Sequence, residues 1–545
     1  VPEEIAAEFI DEEKKVSSAE EALAGAQDII AEWVSDDADV RKVVREKTWH
    51  RGLLISEAKD AENVDVYEIY ANYNEPIKKI VPYRTLAMNR GEREGFLKVK
   101  IDAPVEVIIP ILERRFLAND ACIFLEHLRA AIKEGYERLV APAIERELRN
   151  KMTEAADEHA IHVFAENLYN LLLQSPVKGH IIMGIDPGFR SGCKVAVIDS
   201  TGKYIEGETI YPHAPQKRWD YAKQQVRTLI EKHAVTTVAI GNGTASRETE
   251  QLVAEIIAEI PEQNVQYAIV NEAGASVYSA SPLAKKEFPD LAAAQRGNIS
   301  IARRLLDPLS ELVKIDPKSI GVGLYQHDVN QTNLATALDR VVESAVNSVG
   351  VNLNTASPAL LKYVAGVNST IANNITAYRD EHGGFRNRQE LMEVKGMGPK
   401  AFTQCAGFLR IPDSEIFFDS TAIHPESYEA AKNLLNTLAI SQEEARTSGH
   451  LLKSKLKDKN ISALANEINI GLPTLQDIID AIEKPDRDPR DDMPKPIFRN
   501  DVLKMDDLQP GMILKGTVRN VVDFGAFVDI GVKQRALAGC QCAER

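Results

Sequence analysis

The chain has 545 residues and a mass of 60.3 kDa, with 44% hydrophobic and 27% charged residues, which indicates a globular protein of several domains. It contains no apolar run near the ~18 residues of a membrane helix, and its first 30 residues lack the apolar segment of a signal peptide. The net charge is −16, but residues 1–40 hold 13 acidic and 2 basic residues. The remainder therefore carries only −5, from 63 basic and 68 acidic residues. Local basic patches that bind nucleic acid thus stay possible.

Residues 1–176 are predicted to form a mainly helical region. Apolar residues recur there at helical spacing. A Gly-bounded turn over 91–95 and an alternating strand over 96–101 interrupt the helices. A long helix over 139–173 closes the region, because Ser175-Pro176 ends it.

Residues 178–322 change to strands and β–α units. The predicted strands are 180–186, 194–199, 204–211, 237–240 and 265–270. Helices are predicted over 216–232 and 246–260. The order β-β-β-α-β-α-β-α is that of the ribonuclease H fold, a mixed sheet with helices on both faces.

The rest of the chain has three sections. Residues 323–412 are predicted as short helices with Gly turns, and residues 413–500 as helices followed by a Pro- and charge-rich linker over 485–496. Strands are predicted over 512–518 and 521–530, around a turn at Arg519-Asn520. They account for about half of a five-stranded barrel in 505–545, and the tail over 534–545 is not expected to continue it.

Acidic residues follow two of the predicted strands. Asp186 ends the first strand, and Glu272 follows the last; Asp307 lies on a later helix. If the two strands are neighbours, Asp186 and Glu272 converge, and converging carboxylates can hold Mg²⁺ for phosphodiester hydrolysis. The alternative is that these acids only cap helices and turns. The Gly turn over 240–246 can likewise hold a phosphate, or serve as an ordinary β–α turn with an N-cap Ser or Thr.

A Gly-x-Gly hairpin between two predicted helices is the most specific motif. The region over 352–411 includes Gly366 and ends with the hairpin residues Lys395, Gly396, Gly398 and Lys400. Such a loop directs backbone N–H groups outward and can grip a phosphate without reading bases. Residues 356–411 hold 7 basic and 4 acidic residues, a net charge of +3. The alternative is a helical hairpin whose glycines only permit close packing. If the loop grips phosphate, we expect Gly398→Val to block its conformation.

Aromatic and basic residues are close together in the last predicted strands. Phe524 and Phe527 lie near Lys515 and Arg519 in sequence. Aromatic side chains on a barrel face beside basic residues stack on unpaired bases. The alternative is a strand pair with core phenylalanines.

These motifs together resemble the Tex family of bacterial transcription accessory proteins. The resemblance extends from Val1 to about Lys533 and includes Tyr278-Ser-Ala-Ser281, Ile315-Asp-Pro-Lys-Ser-Ile-Gly-Val-Gly323 and Tyr325-Gln-His-Asp-Val329. It implies an RNase H-like (YqgF/RuvC-like) domain, tandem helix-hairpin-helix motifs, a helical wedge-like domain and a C-terminal S1-type OB barrel. It also implies that part of a helix-turn-helix-like region precedes Val1 and that the barrel is truncated.

We therefore expect a multidomain, mainly α protein with an α/β RNase H-like domain and a partial OB barrel. The expected function is sequence-independent binding of RNA and DNA with RNA polymerase or the elongation machinery, without catalysis, cofactor or metal, as a cytoplasmic monomer. Cytoplasmic location agrees with five cysteines that show no Cys-x-x-Cys spacing. Asp186, Glu272 and Asp307 would then be vestigial. The alternatives are a Mg²⁺-dependent nuclease or junction resolvase and, with less support, an actin-like ATPase.

Overall fold

The computed structural model describes residues 1–60, 62–117, 122–457, 459–485, 488–499, 511–514, 516–522, 525–530 and 536–539. The chain divides into two compact units. The first contains Val1–Val163 with Tyr325–Asn333, and the second Phe164–Leu324 with Leu334–Arg545. Across the described residues, no helix is both long enough and apolar enough to cross a membrane.

The first unit combines helices with a small antiparallel sheet. Its helices are α1 (Pro2–Ala6), α2 (Ala19–Asp36), α3 (Ala38–Arg51), α4 (Pro82–Arg93), α5 (Val105–Phe116), α6 (Leu125–Glu134) and α7 (Ala141–Leu172), which begins in this unit. The strands β1 (Leu53–Ala58), β2 (Asn72–Pro76) and β3 (Leu97–Asp102) pair in the order β2-β1-β3. β3 alternates between buried and exposed residues, as the sequence pattern predicted.

The second unit is organised around a five-stranded mixed sheet. Its strands are β4 (Ile182–Asp186), β5 (Cys193–Ile198), β6 (Tyr204–Ile210), β7 (Thr237–Gly241) and β8 (Gln266–Val270), in the order β6-β5-β4-β7-β8. β4 is antiparallel to β5 and parallel to β7. The meander followed by β–α units is therefore confirmed.

Helices cover both faces of this sheet. They are α8 (Trp219–His233), α9 (Ser246–Glu259), α10 (Ala275–Ala280), α11 (Pro282–Glu287), α12 (Ala293–Leu306) and α13 (Pro308–Leu312). Met183 and Ile185 pack with residues of α8 and α9, and Ile182 packs with residues of α12 on the opposite face. Gly184 lies under α12, where a Cβ atom would approach the Asn298 carbonyl oxygen to 2.3 Å.

Short helices follow the sheet. They are α14 (Gln331–Val349), α15 (Pro358–Leu361), α16 (Ser369–His382), α17 (Pro399–Cys405), α18 (Tyr428–Thr437), α19 (Gln442–Thr447), α20 (His450–Leu456), α21 (Ile461–Ile468) and α22 (Leu472–Glu483). The two-residue strands β9 (Val351–Asn352) and β10 (Leu409–Arg410) pair in parallel and bring the ends of the Gly-turn region together.

The C-terminal strands differ from the sequence prediction. β11 (Thr517–Val522), β12 (Gly525–Asp529) and β13 (Ala536–Gly539) form an antiparallel sheet in that order. The predicted turn at Arg519-Asn520 is wrong, because both residues lie within β11, where the pairing register shifts between Val518 and Asn520. The prediction that the tail does not continue the sheet is also wrong. β13 pairs with β12 through backbone groups, which its weakly apolar sequence did not reveal.

Candidate nucleic-acid interface and acidic sheet edge

The second helical hairpin lies between a 3-10 helix over Arg388–Glu393 and α17. Gly396 has a φ of +89°, a left-handed conformation that favours glycine. Gly398 has a φ of −92°, and a Cβ atom there would meet nothing within 4 Å. The expectation that the backbone conformation requires a glycine at 398 is therefore wrong, and the requirement belongs to Gly396. The open space beside Gly398 is where a ligand can approach.

Charge and hydrogen-bond donors are available at this second loop. Lys395 and Lys400 are exposed, and in the described part of the chain neither forms an ion pair. The backbone N–H groups of Gly396 and Gly398 likewise donate to no acceptor among the described residues. Two ammonium groups and two amides on this loop are therefore available to a phosphate ligand.

The first hairpin repeats the second at an offset of 30 residues, a residue correspondence that the sequence analysis did not identify. Gly366, with a φ of +80°, corresponds to Gly396. Asn368 takes the place of Gly398, and its side chain accepts a hydrogen bond from the Ile371 amide at 2.9 Å. The first hairpin is thus capped by its own side chain, whereas the second has no side-chain cap. The two loops therefore differ at the first turn of the following helix, where a side chain caps α16 and none caps α17.

The two hairpins pack against each other reciprocally. A Cβ atom at Gly366 would lie 2.7 Å from Gln404 Cβ on α17. The Asn374 side-chain amide on α16 donates to the Lys395 carbonyl oxygen at 2.7 Å. Gly366 therefore permits close packing, as the packing alternative expected. Gly398 has no such contact, so packing does not account for it.

Only part of the counted positive charge faces solvent. Arg388 is 1% exposed and donates to the carbonyl oxygens of Leu409, Ile423 and Thr421. Arg379 donates to the Ala356 carbonyl oxygen at 2.8 Å. The exposed basic residues in this region are Lys362, Arg386, Lys395 and Lys400.

Asp186 lies at the carboxyl end of β4, directly opposite Lys194 on β5. Opposed residues of antiparallel strands project from the same face, and Lys194 Nζ lies 3.5 Å from Asp186 Oδ2. Lys194 also donates to Ser191 Oγ at 3.3 Å. Burial raises the pKa of Asp186, and Lys194 opposes that rise. Sequence reasoning missed Lys194, although the antiparallel pairing of the two predicted strands could have indicated it.

Glu272 approaches Asp186 although their strands are not neighbours, since β7 lies between β4 and β8. The Glu272 carboxylate lies over the turn after β7, where a Cβ atom at Gly241 would be 2.2 Å and one at Gly243 1.7 Å from its oxygens. The Gly243 amide donates to this carboxylate. Two glycines thus make the space that lets Glu272 cross the end of β7. The pKa of Glu272 is raised by burial and by the nearby Asp186.

The Gly turn over 240–246 consequently has a contact that neither sequence interpretation included. It holds the Glu272 carboxylate, and the Asn242 side chain accepts a hydrogen bond from the Glu272 amide at 3.1 Å. The N-cap of α9 is Ala245, with a φ of +68° and no side-chain cap, rather than a Ser or Thr.

Asp307 does not join the other two acids. It caps α13 by accepting from the Ser310 amide at 3.2 Å, and it pairs with Arg490 at 2.6 Å. Asp307 follows α12. Near this end of α12, Arg303 donates a hydrogen bond to the Gly202 carbonyl oxygen in the β5–β6 turn. That turn lies at the opposite end of the strands from Asp186.

The residues at this edge do not fit a catalytic Mg²⁺ site. Of the three candidate acids, only Asp186 and Glu272 converge, and α12, which packs beside them, contains no acidic residue between Ala293 and Leu306. A lysine ammonium lies against Asp186, where a metal would need its oxygen. Within the described residues, no group of three or more His, Cys, Asp or Glu side chains is arranged to hold a metal.

The C-terminal candidates are only partly described. Lys515 and Phe524 lie outside the described residues. Arg519 lies in β11 and Phe527 in β12. The stacking interpretation of these four residues stays a prediction.

Family models match most of the chain. The model described as Tex central region-like matches residues 1–164, and the Tex protein YqgF-like domain matches residues 180–306. A helix-hairpin-helix motif matches residues 346–410 and an HHH domain residues 417–490. The range 346–410 contains both hairpins.

Curated relatives match nearly the whole chain. Protein tex of Bordetella pertussis is 43% identical over 98% of this chain and 69% of its own length. The chain belongs to the Tex family. The transcriptional accessory protein Tex of Neisseria gonorrhoeae is 42% identical over 96% of this Tex-family chain and 69% of the relative. The human S1 RNA-binding domain-containing protein 1 is 35% identical over 96% of this chain and 59% of the relative. The resemblance inferred from the motifs is confirmed.

Proposed function

We propose that this Tex-family chain binds RNA and DNA through their phosphate backbones, without sequence preference, and acts with the transcription machinery. The names of two relatives support this, since one is a transcriptional accessory protein and another contains an RNA-binding S1 domain. In the same proposal, β11–β13 belong to an S1-type barrel, RNA polymerase or the elongation machinery is the protein partner, and the protein acts as a cytoplasmic monomer.

The second hairpin is the observation that carries the proposal. Its loop has open space beside it, and in the described structure Lys395 and Lys400 form no ion pair and the Gly396 and Gly398 amides have no acceptor. These groups recognise a phosphate and contact no base edge, so they cannot read a sequence. Binding through them is salt-dependent because each neutralised phosphate releases counterions.

Lys400→Glu tests this proposal. The substitution replaces an attraction for phosphate with a repulsion, so affinity for single- and double-stranded RNA and DNA should fall about equally, by on the order of 1–3 kcal/mol. The slope of affinity against salt should also become shallower. Fluorescence anisotropy over a salt series measures both quantities.

Lys286→Glu is the matched control for Lys400→Glu. Lys286 is an exposed lysine on α11 with no ion pair among the described residues, and its substitution makes the same change in net charge outside the hairpins. It should alter affinity much less. Equal losses in both variants would mean that net charge alone explains the effect, and an unchanged Lys400→Glu would remove the hairpin from the interface.

We also propose that the acidic sheet edge does not cleave nucleic acid. Two carboxylates and a lysine provide neither the charge nor the ligand number of a two-metal site. Labelled RNA and DNA should remain intact in Mg²⁺ or Mn²⁺. Metal-dependent cleavage that disappears in Asp186→Asn would favour the nuclease alternative.

A further inference from the structure

We infer that Lys194 is a built-in cation of the acidic sheet edge and occupies the position that a divalent metal takes where carboxylates converge. Its ammonium lies 3.5 Å from Asp186, and its charge also acts on Glu272. The inference concerns what neutralises the two acids. It rests on the proposed absence of cleavage and is independent of phosphate binding by the hairpins.

The position of Lys194 is fixed by the fold. Asp186 and Lys194 are directly paired across β4 and β5, and β5 is held on its other side by β6. A register shift of one residue would move every side chain of β5 to the opposite face of the sheet. The two side chains therefore meet as long as the sheet is intact, and the lysine side chain is only 16% exposed.

The two carboxylates are also held independently of Lys194. Asp186 belongs to a buried central strand. Glu272 is held by the Gly243 amide and by the turn over Gly241, and one of its oxygens, Oε2, is buried without a hydrogen-bond partner in the described structure. Removal of the lysine charge should therefore leave two carboxylates in place, with at least one oxygen free to bind a cation.

Charge decides which cation such an edge accepts. Two ionised carboxylates and one ammonium sum to −1, and the ammonium repels an incoming divalent ion at short distance. Without the ammonium the sum is −2, which matches one divalent ion, and carboxylate, amide and hydroxyl oxygens are the ligands that Mg²⁺ and Mn²⁺ prefer. A neutral residue at 194 should convert the edge from a lysine-neutralised pair into a divalent-cation site.

Lys194→Gln tests the inference by metal binding. Glutamine is one bond shorter than lysine, removes the charge and supplies an amide oxygen. Mn²⁺ titration followed by electron paramagnetic resonance should show a site in Lys194→Gln that binds about tenfold or more tightly than any Mn²⁺ site of the parent. The double variant with Asp186→Asn should lose this site. Circular dichroism checks that each variant is folded.

Two further variants separate charge from side-chain identity. Lys194→Arg keeps the positive charge and should not bind Mn²⁺. Lys232→Gln removes a lysine that pairs with the single carboxylate of Glu206 at 2.6 Å, and it should create no site. The inference is overturned if folded Lys194→Gln binds Mn²⁺ no better than the parent, or if the parent already binds Mn²⁺ in a manner that Asp186→Asn abolishes. Neither result depends on nucleic-acid binding.

Discussion

At the scale of single residues, two glycines explain how the Glu272 carboxylate can lie partly buried and close to another carboxylate. Glu272 reaches across β7 only because Gly241 and Gly243 have no Cβ atoms in its path. The carboxylate gains the Gly243 amide as a donor but loses water and faces Asp186. Burial of a charged group near a like charge favours its neutral form. The ionised Glu272 carboxylate therefore destabilises the fold.

Glu272→Gln should stabilise the protein at neutral pH. The pKa of Glu272 is raised above its ordinary value of 4.5. At pH values between 4.5 and this raised pKa, the folded chain binds more protons than the unfolded chain. Stability therefore falls as pH rises through this range. Glutamine does not titrate and keeps an oxygen for the Gly243 amide. We expect a gain on the order of 1 kcal/mol at about pH 8 that vanishes near pH 4, measured by urea denaturation.

Glu206→Gln provides a control of opposite sign. Lys232 and His233 lower the pKa of Glu206, so its carboxylate stabilises the fold above its ordinary pKa of 4.5, and this stabilisation is lost as pH falls. This substitution should lower stability at about pH 8 and have little effect near pH 4. A destabilised Glu272→Gln at the higher pH would show that the carboxylate is held by a stronger interaction than the Gly243 amide.

At the scale of elements, the two hairpins share a backbone but differ at one capping position. Asn368 caps α16 with its side chain, whereas Gly398 leaves the corresponding position before α17 open. An N-cap side chain stabilises a helix by satisfying an end amide, but that amide is then unavailable to a ligand. The second hairpin leaves the end of α17 without a side-chain cap.

Gly398→Asn should separate stability from binding. The introduced side chain can accept from the Ala401 amide, as Asn368 accepts from the Ile371 amide. We expect stability to rise by a few tenths of a kcal/mol, about the difference between Asn and Gly caps, while affinity for nucleic acid falls because the open space is filled. Thermal denaturation and anisotropy titration measure the two effects.

Gly396→Ala is the matched comparison. A Cβ atom there meets only ordinary contacts, 3.7 Å from Ile371 Cγ1, so its cost comes from the φ of +89°. We expect a loss of about 1 kcal/mol of stability. If Gly398→Asn binds as tightly as the parent, the space beside Gly398 is not used by the ligand.

The elements that sequence predicted well are those with strong local patterns. The strands and helices of the five-stranded sheet follow continuous apolar runs bounded by turns, and each was found close to its predicted range. The approach of Glu272 to Asp186 across β7 had no such local signal, since it depends on two missing Cβ atoms. The predicted role of Gly398 failed for a related reason, because sequence shows a glycine but not its φ.

At the scale of the whole molecule, the predicted linker over 485–496 overlaps a segment over 488–499 that is anchored within the second unit and is called the strap here. Arg490 is buried and pairs with Asp307 and Asp488. Phe498 packs against the core that α12 forms with the sheet. Proline and charge in this segment indicated a linker because contacts with distant parts of the chain leave no local pattern; Asp307, for example, is 183 residues away from Arg490.

The strap also covers the outer edge of β8. Arg499 and Tyr267 exchange two backbone hydrogen bonds, of 3.0 and 2.9 Å. An uncovered edge strand is a template for pairing with other chains, so this contact protects the sheet. The Arg499 guanidinium lies 3.4 Å from Glu250, a carboxylate that is 1% exposed and also accepts from Arg247 and Tyr267.

Arg499→Ala should loosen the strap and destabilise the second unit. Among the described residues Glu250 pairs with two cations, and it would keep Arg247 and the Tyr267 hydroxyl but lose Arg499, which should cost on the order of 1–2 kcal/mol. Glu250→Gln removes the buried charge, so adding Arg499→Ala to it should cost less than Arg499→Ala alone, and a double-mutant cycle measures the difference.

Hydrogen exchange of the Tyr267 amide reports the strap directly, because its acceptor is the Arg499 carbonyl. Faster exchange with lower stability is expected. Unchanged exchange with lower stability would mean that the ion pair stabilises the sheet while backbone bonds and Phe498 alone hold the strap.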